Sequence, residues 1–187
     1  MGSRYTQLLE LQHTAGNRAV AGLLASYAGD GTAPSITLHG ETLPNFDGGT
    51  TKVLDPKVAP AKGCDCPAED PCMRGTGTLQ VTYHVDVTIT MPPMPDGLSQ
   101  CQQRRVREFL QNVLGPHERE HARRLRTYNG VTKRAFNVTG CGRSGLDTEV
   151  GSKLQQMHAD EANDRADKAD KLSQDIDPFK RKIDLKC

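Results

Sequence analysis

Residues 106–121 read Val106-Arg107-Glu108-Phe109-Leu110-Gln111-Asn112-Val113-Leu114-Gly115-Pro116-His117-Glu118-Arg119-Glu120-His121. Counted at about 100° per residue from Val106 at zero, Leu110 falls near 40°, Val113 near −20°, Phe109 near −60° and Leu114 near 80°. These side chains form one apolar stripe, the face a helix turns to a core. On the same count His117 falls at about 20° and His121 at about 60°, inside that stripe. The pattern predicts a helix over residues 99–128. Gly115-Pro116 intrudes just before the histidines. Either Pro116 kinks the helix or a new helix starts there with proline in its first turn. Both outcomes leave His117 and His121 on continuous helix.

Histidines at i and i+4 stand one turn apart on one helix face. Their imidazoles can grip one zinc ion at about 2.0–2.1 Å. Glu118 projects beside such a metal without ligating it. There it can take a proton from water activated by the metal and pass it to a leaving amine. The competing reading is a solvated, arginine-rich face carrying two histidines and two acids, but that face would not coincide with the stripe of Val106, Leu110 and Val113.

Zinc needs a third protein ligand if one position is to stay open. A second helix is expected over residues 148–172, with Val150, Leu154 and Met157 facing the core. With Val150 at zero, Glu161 falls at about 20°, at the centre of that stripe. A carboxylate aimed at a core is costly unless paired or bound to metal. Glu161 is therefore the expected third ligand, with His158 and Asp175 as alternatives. The non-ligand reading of Glu161 is a salt bridge to an arginine of the first helix.

Working outward, residues 78–91 alternate Leu79, Val81, Tyr83, Val85, Val87 and Ile89 with polar side chains. Period two predicts a half-buried strand, ended by Pro92-Pro93. Its edge is expected to accept an extended peptide as one more strand. His84 falls on the polar face. Residues 29–75 are rich in Gly, Pro, Asp and Thr and read as loop, apart from a short strand within Ser35 to Leu43. Residues 129–147 read as a glycine-rich connection. Residues 4–28 carry two short helical patterns separated by Ala15-Gly16-Asn17. The expected organisation is an N-terminal helical segment at 1–30, a Gly/Pro/Cys-rich region at 31–75, and one domain over 76–187.

Lys and Arg number 24 against 23 Asp and Glu, so charge gives no reason to expect nucleic acid. No apolar run approaches the roughly 18 residues a membrane span needs. No basic, apolar and cleavage regions of a signal peptide are visible. Met1-Gly2-Ser3 also reads as an expression scar, so this does not assign a compartment. Cys64, Cys66, Cys72, Cys101, Cys141 and Cys187 are six in number. Disulfides in an oxidising compartment, free thiols and a second metal site all remain open. The spacing of Cys64, Cys66 and Cys72 does not match the paired C-x-x-C of common zinc modules.

Two resemblances add to this. Leu11 through Val20, with Gly16-Asn17-Arg18, is similar to a short motif of bacterial proteins linked to contractile injection systems. It implies docking of residues 4–28 onto such a particle. The run from Thr88-Ile89-Thr90-Met91-Pro92 through Phe109-Leu110 to His117-Glu118-x-x-His121 resembles a bacterial family of secreted zinc-dependent proteases with a zincin-like H-E-x-x-H helix. The resemblance covers about residues 78–175, and Cys141 matches a cysteine that family carries after the helix. The family often has Gly where this chain has Glu120. It often ends in acid-x-x-Thr-x-His-Gly, where this chain has Asp170 through Asp175.

The expectation is an α+β, zincin-like fold: a small antiparallel sheet, the H-E-x-x-H helix and a second packed helix. It is expected to be a metallopeptidase, secreted or delivered outside the cell, with one Zn²⁺ on His117, His121 and Glu161. Its substrate is a protein or peptide, and Glu118 is the general base. Tyr128 and nearby arginines are candidates to stabilise the oxyanion. The first alternative is a non-catalytic effector or adaptor with a structural zinc. The second is a disulfide-stapled binding module with incidental histidines.

Overall fold

The computed structural model describes residues 35–187. The helical patterns expected within residues 4–28 lie outside them. The described chain is mixed α+β, with small antiparallel sheets, and divides into two compact units.

The larger unit comprises Glu41–Thr90 and Gly115–Phe179. Strands β3 (Thr50–Pro60), β4 (Cys72–Tyr83) and β6 (Gly130–Cys141) form a three-stranded antiparallel sheet in the order β3-β4-β6. Strands β2 (Glu41–Phe46) and β5 (Val85–Thr90) form a separate two-stranded pair. Helices α2 (Gly115–Leu125) and α3 (Gly142–Gln174) complete the unit, with a 3₁₀ turn at Arg126–Tyr128.

The predicted alternation appears as burial through Val85, beyond which Val87 is half-buried and Ile89 exposed. Leu79, Val81, Tyr83 and Val85 are buried while Thr82, His84 and Asp86 are exposed. Together with Tyr128 and Ala169 they form the core, against which Phe46, Leu154, Met157, Ala162 and Ala166 pack. Each such fully buried Val or Leu contributes roughly 1.5–3 kcal/mol. Two glycines extend the inner face of β4. A Cβ on Gly77 would lie 2.8 Å from Phe136 Cζ, and one on Gly75 would lie 3.1 Å from Val150. Their missing side chains let the Phe136 ring and helix α3 lie directly on the strand.

Several expectations are corrected here. The single strand at 78–91 is two strands in different sheets, divided at His84. Strand β4 is the middle strand of its sheet and offers no edge to a peptide, whereas β5 pairs with β2 alone among the described strands. Residues 31–75 are not mainly loop, since they hold β2, β3 and the start of β4. Strand β3 is an edge strand and almost wholly exposed, with a register shift between Leu54 and Lys57. A strand that buries neither face shows no apolar alternation. Residues 129–147 hold β6, whose one fully buried side chain is Phe136, and the first turn of α3.

The smaller unit, among the described residues, comprises 35–40, Met91–Leu114 and Lys180–Cys187. Helix α1 (Gln100–Phe109) starts at Ser99, whose side chain and that of Gln102 form a reciprocal capping box. Strand β1 (Ser35–Ile36) pairs with β7 (Ile183–Asp184), and a disulfide joins Cys101 to Cys187. Val106, Leu114, Ile183 and Leu185 are buried. A five-residue π turn, Leu110–Leu114, immediately precedes Gly115-Pro116. Pro116 has no N–H for the Asn112 carbonyl, and its ring crowds that turn, so the backbone widens there.

The cysteines are all paired among the described residues. Cys64 bonds Cys72 and Cys66 bonds Cys141, so the loop before β4 is fastened both to β4 and to the end of β6. This leaves no thiolate for a second metal site.

Candidate metal centre

All the groups of interest lie in the larger unit. Helix α2 presents His117, Glu118 and His121 on its buried side. Glu118 is 4% exposed and His121 8%. The burial of His121 agrees with the stripe read from Val106, whereas Glu118 lies outside that stripe at about 120° and Val113, expected on it, is exposed. The two imidazoles meet edge to face, with Nε2 of one 3.0 Å from Nε2 of the other.

The third group at this point is Asp177. Its Oδ1 lies 3.6 Å from Nε2 of each histidine. Four ligands placed tetrahedrally at about 2.0–2.1 Å from a zinc ion stand about 3.3–3.4 Å apart. The triangle of 3.0, 3.6 and 3.6 Å therefore matches three corners of such a tetrahedron. A nitrogen–nitrogen–oxygen donor set also suits zinc. Asp177 is about half-exposed, whereas the two histidine side chains are nearly buried. Phe179 stacks on the His117 ring at 4.2 Å between centroids.

Glu118 is a buried carboxylate that no Lys or Arg pairs with among the described residues. Thr42 of β2 donates a hydrogen bond to its Oε2 at 2.7 Å. The other oxygen, Oε1, accepts from no protein group among the described residues. Burying a charge without a cation is costly, and a divalent ion beside the adjacent His117 would offset that cost.

A polar scaffold surrounds these groups. His121 Nδ1 lies 2.8 Å from Ser173 Oγ, near the end of α3. Arg124 donates to the Leu172 carbonyl at 2.8 Å and to Glu120 at 2.9 Å, so α2 is tied to the same helix end. Hydrogen bonds from Arg123 and Arg124 hold the Glu120 carboxyl down at about 2. Glu120 thus orients Arg124 toward the end of α3.

Glu161 is not among the converging groups. Its carboxylate meets Arg134 of β6 at 3.0 Å and Arg165 of its own helix at 4.0 Å. The acid on the stripe is compensated by one arginine of the strand it packs on and one of its own helix, and not by an arginine of the first helix. His158 donates from Nε2 to the Gly48 carbonyl at 2.6 Å. Asp175 is exposed and caps α3 through its backbone N–H. Tyr128 is 1% exposed and belongs to the core. Its hydroxyl faces Asp47, and burial, then that carboxylate, pushes its pKa up to about 12. It is no oxyanion donor at this point.

Sequence reasoning missed Asp177, Ser173 and Thr42. The signal for Asp177 was Pro178, which marks the helix stop and makes the two acids before it equal candidates. Nothing in the sequence singles out Thr42. No family model, curated protein or solved structure matches the chain.

Proposed function

We propose that this protein is a zinc-dependent peptidase in which His117, His121 and Asp177 hold one zinc ion and Glu118 is the general base. The observation that carries the reading is the triangle of 3.0, 3.6 and 3.6 Å between two Nε2 atoms and one carboxylate oxygen. Three ligands rather than four favour a catalytic over a structural ion, because one position stays open. A zinc ion bound there would polarise a scissile carbonyl and lower the pKa of its water.

The chain's own residues do the rest. Thr42 fixes Glu118 through Oε2 and leaves Oε1 to take up a proton and return it to the leaving amine. The half-exposed flank at Asp177 is the open side of the cluster. The three disulfides fit an oxidising, extracellular setting and support secretion or delivery outside the cell. Among the described residues, no helix is long and apolar enough to cross a membrane. Docking onto an injection particle rests on residues 4–28, outside the described residues.

The test is zinc content and cleavage of a mixed peptide library by the full chain. Wild type should hold one zinc per chain, and His121→Ala none. Glu118→Gln should keep the zinc and lose roughly 10²–10⁴-fold in rate, the contribution of a general base. Wild type without zinc, or Glu118→Gln with full activity, overturns the reading.

A further inference from the structure

We infer that Ser173 is a positioning residue for the metal centre: it holds His121 in the tautomer that can bind zinc. The inference rests on the proposed zinc site and deepens it. A neutral imidazole has one nitrogen carrying a proton and one with a free lone pair. His121 directs Nε2 at the His117 nitrogen and the Asp177 oxygen. For Nε2 to offer its lone pair there, the proton must sit on Nδ1. Nδ1 faces Ser173 Oγ at 2.8 Å, and both residues are buried. The hydroxyl oxygen accepts the Nδ1–H. Its own proton is then free to turn toward the preceding helical turn, as serine hydroxyls in helices do.

Ser173 is 52 residues from His121 in the chain, so the contact is made by the fold and not by local sequence. Its place is secured from both sides. Arg124, held by Glu120, bonds the carbonyl of the neighbouring Leu172. The N–H of Asp175 bonds Lys171, so the last turn of α3 is closed. Partners of this kind, behind a ligand, typically change metal affinity by roughly 10–100-fold.

The experiment uses the full chain and zinc alone, with affinity measured by competition against a chelator. Ser173→Ala should weaken zinc by roughly 10–100-fold. Ser173→Thr and Ser173→Val have the same shape, and only one keeps the hydroxyl. The threonine variant should bind like wild type and the valine variant like the alanine one. Nitrogen and proton NMR of the zinc-loaded protein gives a readout that mere packing would not move. The His121 Nδ1–H should be protected from exchange in wild type and Ser173→Thr, and exchange rapidly in Ser173→Val. If the threonine and valine variants bind zinc equally well and show the same Nδ1–H, Ser173 does not position His121, although the zinc site stands. If wild type binds no zinc, the peptidase reading itself falls, and this inference with it.

Discussion

Glu161 and Asp177 are both acids associated with helix α3, and they solve the same problem in opposite ways. Glu161 sits mid-helix, where Arg134 and Arg165 neutralise it. Asp177 lies just past the helix end, and its ion-pair contacts among the described residues are two imidazoles that are neutral unless protonated. An acid on an apolar stripe therefore says that a positive partner is needed, without saying which. Where the strand alongside supplies arginine, the acid is structural. Where the neighbouring helix supplies two lone pairs instead, the acid is half-exposed, and a cation bound there is the proposal to be tested.

The largest expected difference between the two acids is in metal binding. Asp177→Ala should weaken zinc by at least the roughly 10–100-fold that a lost supporting residue costs, whereas Glu161→Gln should bind like wild type in the same chelator competition. The reverse result would return the third-ligand role to Glu161. Thermal unfolding with and without zinc makes the same distinction on a smaller scale. At a zinc concentration of a hundred times Kd, binding adds about 2.7 kcal/mol to wild type. Glu161→Gln should keep that increment but lose about 1 kcal/mol of intrinsic stability, since Arg134 is mostly exposed. Asp177→Ala should show the opposite pattern.

The smallest effect concerns a third acid, the partly exposed Glu120. Its folded pKa of about 2 lies below its ordinary value of 4.5, because Arg123 and then Arg124 bond its charged form. Its contribution to stability is therefore present above about 4.5 and disappears as pH falls toward 2. In acid unfolding, Glu120→Gln should be slightly less stable than wild type at neutral pH. The two curves should merge across that window. A difference that persists below it would mean that Glu120 acts through packing and not through charge.

The comparison also explains what the sequence could and could not tell. The inward position of His121 was legible from the stripe, and it is buried as expected. Val113, placed on the same stripe, is exposed, and Glu118, about 120° from Val106 on that count and so outside the stripe, is buried. On α3 the same count holds where it was applied, since Leu154 and Met157 pack on the core and the Glu161 side chain is 14% exposed. It does not carry to the helix end, because the inner face rotates along 33 residues. From Leu146 through Val150, Leu154, Ala162, Ala166 and Ala169 to Ser173, the inward residues are mostly four apart, which moves the inner face about 40° at each such step, with one step of three between Ala166 and Ala169. An angle taken from Val150 is no longer the inward direction near Ser173. The later inward residues are also small, so hydrophobicity does not mark them. Strands β3 and β6 were missed for the complementary reason, being edge strands with little buried surface to leave a pattern. Thr42 is joined to Glu118 across 76 positions and has no local signature.

The disulfides have a consequence for how this chain would withstand proteolysis. Cys64–Cys72, Cys66–Cys141 and Cys101–Cys187 close three loops that overlap along the chain. Every peptide bond between Cys64 and Cys187 lies inside at least one of them. A single internal cut anywhere in that span therefore yields a nicked molecule and not two fragments. The halves stay covalently joined, and the helix bearing His117 and His121 cannot diffuse away from the turn bearing Asp177. Such damage would be invisible by size under oxidising conditions and would appear only when the sulfurs are reduced.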